Sequence, residues 1–209
     1  MFLARQAAVF TLPQIRSALA SNNPNFVTPK STTRQAAVAI IMRETLDGPQ
    51  ILFIKRAEKE GDPWSGQMAF PGGHRDPEDD SLRHAAMRET DEETGLSLIG
   101  STYLGALDHQ EAQPRGRTLD MIIAPHVFQI DGDPGFTPNH EVDEVVWGPM
   151  DAMARNQLHH TETYALSGTP TVFNGYRLER GHFVWGLTYR ILKTFFTTID
   201  PNWQPPAEL

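Results

Sequence analysis

The stretch Arg88-Glu89-Thr90-Asp91-Glu92-Glu93-Thr94-Gly95-Leu96 crowds four carboxylates into five positions at the end of a segment with the local marks of a helix. Residues 80–94 contain good helix formers and no Gly or Pro, acids (Asp79, Asp80) stand at the start, and Gly95 supplies a C-terminal stop. At roughly 100° per residue, Leu82, Ala85, Ala86 and Leu96 share one stripe with Glu89 and Glu93, and Glu92 lies beside it. The acids therefore fall on the side that should face a core. Glu89 and Glu93 are also like charges four residues apart at the negative end of the helix dipole, which breaks two electrostatic preferences at once. Only a positive counterpart makes that arrangement tolerable. Asp91, pointing away from the stripe, fits an ordinary solvated face.

The rest of the chain limits what the counterpart can be. With no cysteine, disulfides, thiolate metal sites and a Cys nucleophile are excluded, so a metal would need oxygen or imidazole ligands. A formal net charge of −8 argues against nonspecific nucleic-acid binding. No stretch is long enough to cross a membrane, and the apolar run at the start is interrupted by Arg5 and Gln6, so a cytoplasmic protein without a membrane partner is expected. Just before the acidic helix, Pro71, Gly72 and Gly73 can bring backbone close to a ligand. A glycine-rich loop leading into stacked carboxylates suggests Mg²⁺, with a polyphosphate behind it. An EF-hand counted from Asp76 fails, because its glycine position holds Ser81 and its twelfth position Met87.

The chain of 209 residues suits one domain. Residues 11–21 read as an N-terminal helix and a polar linker follows, so 1–33 is set apart from a domain at 34–200 and a tail at 201–209. Strands are expected at RQAAVAIIM and QILFIKR, joined by a hairpin-like connection, then at STYLGALDH and LDMIIAPHVFQI. EVDEVVWGPMDAMARN reads as a strand turning into a helix, and HFVWGLTYRILKTFFTTI as one helix. His159 and His160 are assigned to a polar loop. Strands and helices mix without strict alternation, which favours an α/β architecture with a mixed sheet covered by helices.

Arg88, Glu89, Glu92, Glu93, Gly95 and Leu96 stand at the spacing of the Nudix box, G-x5-E-x7-R-E-U-x-E-E-x-G-U with U apolar, and the chain resembles that family. Gly73 takes the leading glycine. Asp80 stands at the early Glu with one extra residue before it, and Thr90 replaces an apolar residue. The resemblance implies the Nudix fold, a mixed β-sheet sandwiched between α-helices, and Mg²⁺- or Mn²⁺-dependent hydrolysis of a small-molecule diphosphate. It further implies metal binding by Glu89, Glu92, Glu93 and the Gly73 carbonyl, with Glu92 a ligand or a base and Arg88 orienting the carboxylates. Glu141 and Glu144 lie where the family often carries a downstream acid, and Glu144 is taken as a catalytic candidate.

RQAAVAIIM, GQMAFPGG and FVWGLTYRIL are similar to parts of the coenzyme A pyrophosphatases, whose upstream signature is L-L-T-x-R-S followed by G-x3-F-P-G-G. Gly66, Phe70, Pro71, Gly72 and Gly73 keep its second half. Leu52 and Arg56 fit the first half, but Ile54 replaces Thr and Ala57 replaces Ser. This resemblance, over residues 34 to 195, implies coenzyme A or an acyl derivative as substrate. Hydrolysis of ADP-ribose or a sugar nucleotide, and a sensor that binds without cleaving, are the alternatives. Arg56, Gly72 and Gly73 are the substrate-contact candidates. Arg115 and Arg117 could add charge or keep their loop solvated, and Trp64 could stack on a base or pack over the core. Assembly is left open, a homodimer included.

Overall fold

The computed structural model describes residues 9–62, 64–112, 119–166 and 169–208. In chain order the elements are α1 (Leu12–Ser21), β1 (Arg34–Thr45), β2 (Gly48–Arg56), β3 (Met68–Ala69), β4 (Gly72–His74), α2 (Leu82–Thr94), β5 (Thr102–Ala106) and β6 (Gln110–Glu111). They continue as β7 (Met121–Gln129), β8 (Val142–Pro149), α3 (Met150–Ala154), β9 (His159–Leu166), β10 (Thr169–Arg177), β11 (Phe183–Trp185) and α4 (Gly186–Ile199).

β1 organises the main sheet. It pairs in parallel with β7 along Arg34–Met42, while its other edge takes β4 at Ala36–Val38 and β2 beyond Met42. A parallel central pair needs cover on both faces, and β7 is buried at every position. Alternation along β1 then sorts the two layers. Ala37, Ala39 and Ile41 meet Ala85 and Ala86 of α2, whereas Ile40 and Met42 face a core built with Ile191, Leu192, Phe195 and Phe196 of α4. Small side chains on both sides of the first contact let α2 approach the sheet closely. Ile15 and Leu19 of α1, and Trp203 beyond α4, join the second core, so α1 and the segment after α4 pack onto the same body. The result is the expected α/β/α arrangement.

Local chemistry fixes the boundaries. The Leu46-Asp47 turn closes β1 onto β2, whose first residue, Gly48, has φ 107°. Thr11 and Gln14 form a capping box at α1. α2 starts two residues later than expected because Ser81, not an acid, caps it by accepting from His84 N–H. The last helix is shorter than expected, since Phe183–Trp185 pair with β10 and Gly186 (φ 62°) marks the change of path into α4.

A second, three-stranded antiparallel sheet, β11-β10-β9, had no counterpart in the sequence reading. His159 and His160 open β9 rather than lying in a loop. Pro170, Asn174 and Gly175 are disfavoured strand residues, but Pro170 stands near the start of β10, and Gly175 is required where Val184 O would lie 2.3 Å from an added Cβ.

One buried ionisable group in β7 predicts a pH response. His126 is 8% exposed; its Nδ1 lies 3.0 Å from the Tyr103 hydroxyl, and burial, aided by His109 and Arg83, pushes its pKa down to about 4. Between the ordinary value of 6.5 and about 4, the unfolded chain takes up a proton that the fold refuses. The stabilisation is thus present above the unfolded value and lost as pH falls, by at most roughly 3.5 kcal/mol at about 1.4 kcal/mol per unit. Wild-type Tm should fall more steeply from pH 7 to pH 4.5 than that of His126→Gln, and parallel curves would refute the assignment.

Candidate active site

α2 presents its acids where β4 crosses β1. Gly72 has φ 150°, and a Cβ there would lie 2.2 Å from Ala37 O, so only glycine allows this approach of the two backbones. The gain is a donor aimed at the helix: Gly72 N–H donates to Glu93 Oε2 at 2.8 Å. At Gly73 the obstacle is a side chain, because an added Cβ would meet the Glu89 carboxyl at 2.4–2.6 Å. The two glycines thus fit the two stripe acids one to one.

Burial gives these acids unusual electrostatics. Glu93 is 2% exposed, and desolvation, reinforced by Glu89 and Glu141, raises its pKa to about 7 against the opposing effects of the Gly72 N–H and Arg56. Desolvation also raises Glu89, while Arg88 holds it back. Glu92 is different, with a side chain 55% exposed. Thr90, at the apolar position of the box, is buried without strain because its hydroxyl donates to Ala86 O at 2.7 Å.

Arg88 is the clamp of the site. Its Nη1 donates to Glu89 Oε1 (3.0 Å) and Glu92 Oε2 (3.1 Å), and its Nη2 to His74 O (2.9 Å) and Asp79 Oδ2 (2.9 Å). Its Nε completes a two-pronged bond to Asp79 Oδ1 at 3.2 Å. These bonds hold the guanidinium charged and keep Asp79 below the ordinary carboxylate range. Asp79, almost fully buried, is thus the acid that meets Arg88, whereas Asp80, expected at the early Glu of the box, is exposed. Counting from Gly73 reveals the signal: Gly73-x5-Asp79 keeps the motif's spacing, and the extra residue lies after the acid.

The downstream acids separate. Glu141 acts on Glu93 through its charge, and Asn139 N–H donates to Glu93 O at 3.1 Å in the same loop. Glu144 instead pairs with Arg180 (2.6 Å) and lies 3.0 Å from His182 Nε2, on the side of the small sheet. Arg56 lines a cleft of about 190 Å³ with Val38, Phe70, Gly72, Gly73 and Leu187, and pairs with Asp62 at 2.8 Å. Trp64 packs against the core and also lines that cleft. Lys55 pairs with Asp143 at 2.6 Å. Arg115 and Arg117 lie outside the described residues.

The donor set suits a hard divalent cation, all oxygen and mutually repelling, and no Lys or Arg among the described residues pairs directly with Glu93. Among the described residues no three His, Asp or Glu side chains already converge as a cage. Arg88 draws Glu89 and Glu92 toward itself, and Gly72 anchors Glu93, so convergence would require rotation of flexible carboxylates.

A model of the NUDIX domain matches residues 32–166. The chain is 29% identical over 187 residues to the mitochondrial coenzyme A diphosphatase of Mus musculus, covering 86% of each. It is 30% identical over 170 residues to the uncharacterized Nudix hydrolase NudL of Yersinia pestis, covering 78% of each. A MutT/nudix family protein from Enterococcus faecalis shares the fold, with a TM-score of 0.53 at 17% identity over 91% of this chain and 70% of that one.

Proposed function

Because this chain belongs to the Nudix family and is a diphosphate-hydrolysing enzyme, we propose that it cleaves coenzyme A or an acyl-coenzyme A to 3′,5′-ADP and the (acyl-)4′-phosphopantetheine. The observation that carries the chemistry is the desolvated pair Glu89 and Glu93, each set against one glycine of Gly72-Gly73 at the rim of the Arg56 cleft. Similarity to proteins named coenzyme A diphosphatases supports the substrate. A cytoplasmic location belongs to the same proposal.

Glu89, Glu93, Glu92 and the Gly73 carbonyl would hold Mg²⁺ or Mn²⁺. When bound, the ion neutralises phosphate oxygens and makes water more acidic. The chain's own groups do the rest. Arg88 holds Glu89 and Glu92 charged and side by side, and their carboxylates would turn from it toward the cation when substrate arrives. Glu92 is open enough to take a proton from the attacking water; Glu144 could do so only by leaving Arg180 and His182. Arg56 would meet a phosphate oxygen, sharing donors now given to Asp62. Water adds to one phosphorus, and the other phosphate departs with the electrons of the broken bridging bond.

One observation favours the alternative, hydrolysis of ADP-ribose or a sugar nucleotide. A 3′-phosphate needs a cation, yet Arg56 and Lys55 are already paired with Asp62 and Asp143. If one of these cations is released to the 3′-phosphate, coenzyme A should exceed 3′-dephospho-coenzyme A in kcat/KM by roughly ten- to a hundredfold. Parallel assays of both, with ADP-ribose and a sugar nucleotide beside them, decide the matter. Equal rates for the first two, or faster cleavage of ADP-ribose, would favour the alternative.

A further inference from the structure

Beyond the wall formed by β3, the small sheet opens a second cleft of about 340 Å³ that the catalytic chemistry does not use. Lys55, Gln67, Met68, Tyr164, His182 and Trp185 line it, and Gln67 and Met68 also line the Arg56 cleft. The two are therefore neighbours across one short strand. Its aromatic wall is built in depth. Tyr164 and Trp185 are partly exposed and stack with centroids 5.1 Å apart at 18°, and Phe173 backs Trp185 at 4.5 Å. Such a packed pair loses little entropy when a flat ligand lies against it. Polar groups stand at the edge. Lys55 uses one donor on Asp143, which leaves two N–H groups free to turn, and His182 Nε2 lies 3.0 Å from Glu144.

We propose that this cleft seats the heteroaromatic base of a nucleoside diphosphate, with the ring against Trp185 and Tyr164 and its polar edge toward Lys55 and Gln67. The assignment rests on the diphosphate-hydrolase reading for its substrate class. It gives the second sheet a task that Nudix chemistry at α2 does not require. Pre-existing ion pairs neutralise the charges at the cleft: Lys55 with Asp143, and Arg180 with Glu144. That balance favours an uncharged ring over another phosphate. Stacking is tolerant of base identity, so selection among bases falls to the polar edge.

The test separates the cleft from the catalytic reading. Removing the ring platform with Tyr164→Ala or Trp185→Leu should lower kcat/KM for coenzyme A, relative to that for a base-free diphosphate diester, by roughly ten- to a hundredfold. The effect should appear in KM, and Trp185→Phe should restore most of it. A ratio unchanged within about twofold overturns the proposal. Binding without turnover supplies the second arm, which needs neither metal nor a folded truncation variant. In wild-type protein, AMP should bind at least tenfold more tightly than ribose 5-phosphate and shift the Trp185 indole N–H resonance, assigned through Trp185→Phe. Equal affinities, or an unmoved resonance, also overturn it. If no nucleoside diphosphate is hydrolysed but AMP passes this test, the hydrolase reading falls and the base site stands.

Discussion

Glu93→Gln is expected to lower turnover by on the order of 10²–10⁴-fold under saturating Mg²⁺ while leaving the fold intact. The substitution keeps shape and an oxygen acceptor for Gly72 N–H, so the junction of β4 with α2 survives. What it removes is a charge the site holds at a cost. Glu93 has a folded-state pKa of about 7 against an ordinary 4.5, so the folded form binds its proton more tightly than the unfolded chain does. Its contribution to stability is therefore complete below about pH 4.5 and is lost as pH rises through about 7. In metal-free protein at pH 8, Glu93→Gln should accordingly melt no lower than wild type. Added Mg²⁺ reverses the order. A ligand at a hundred times its Kd stabilises the native state by about 2.7 kcal/mol, and the wild type should gain Tm that the variant does not. The proposed role would be refuted by unchanged turnover in Glu93→Gln, or by an equal Mg²⁺-dependent rise in Tm.

Alanine at two adjacent glycines should produce opposite phenotypes. At Gly72 the new methyl meets backbone, Ala37 O at 2.2 Å and Val38 Cα at 2.6 Å, and φ 150° is foreign to alanine. Neither side can yield without parting β4 from β1. Gly72→Ala should therefore cost roughly 2–4 kcal/mol, read as a lower denaturation midpoint. At Gly73 the methyl meets only the end of Glu89, a flexible side chain that can swing away. Gly73→Ala should keep its unfolding free energy within about 1 kcal/mol of wild type yet lose on the order of 10²-fold in turnover, because Glu89 is displaced from Arg88 and from the site. A Gly73→Ala enzyme with normal turnover would exclude Glu89 from the chemistry. A Gly72→Ala protein as stable as wild type would show that the β4 approach is looser than described.

The sequence by itself determined the acidic stripe, the Gly95 stop of α2 and the glycine pair, because helical period, caps and turn chemistry act over only a few residues. The central strands were legible for the same reason: β1 and β7 are continuous apolar runs suited to a sheet covered on both faces. Tertiary structure decided the pairings between distant segments. Asp79 rather than Asp80 meets Arg88 because the loop from Gly73 folds back over α2 and buries one of two adjacent acids. Register across β2 and β8 sets Glu144 opposite Lys55 and toward the small sheet, while the loop before β8 brings Glu141 into the field of Glu93. Asp62 claims Arg56 through a turn that no periodic pattern encodes. The β9–β11 sheet was hidden in polar and Gly/Pro-containing segments whose strand form depends on cross-strand hydrogen bonds and aromatic packing, which exist only once the chain has folded.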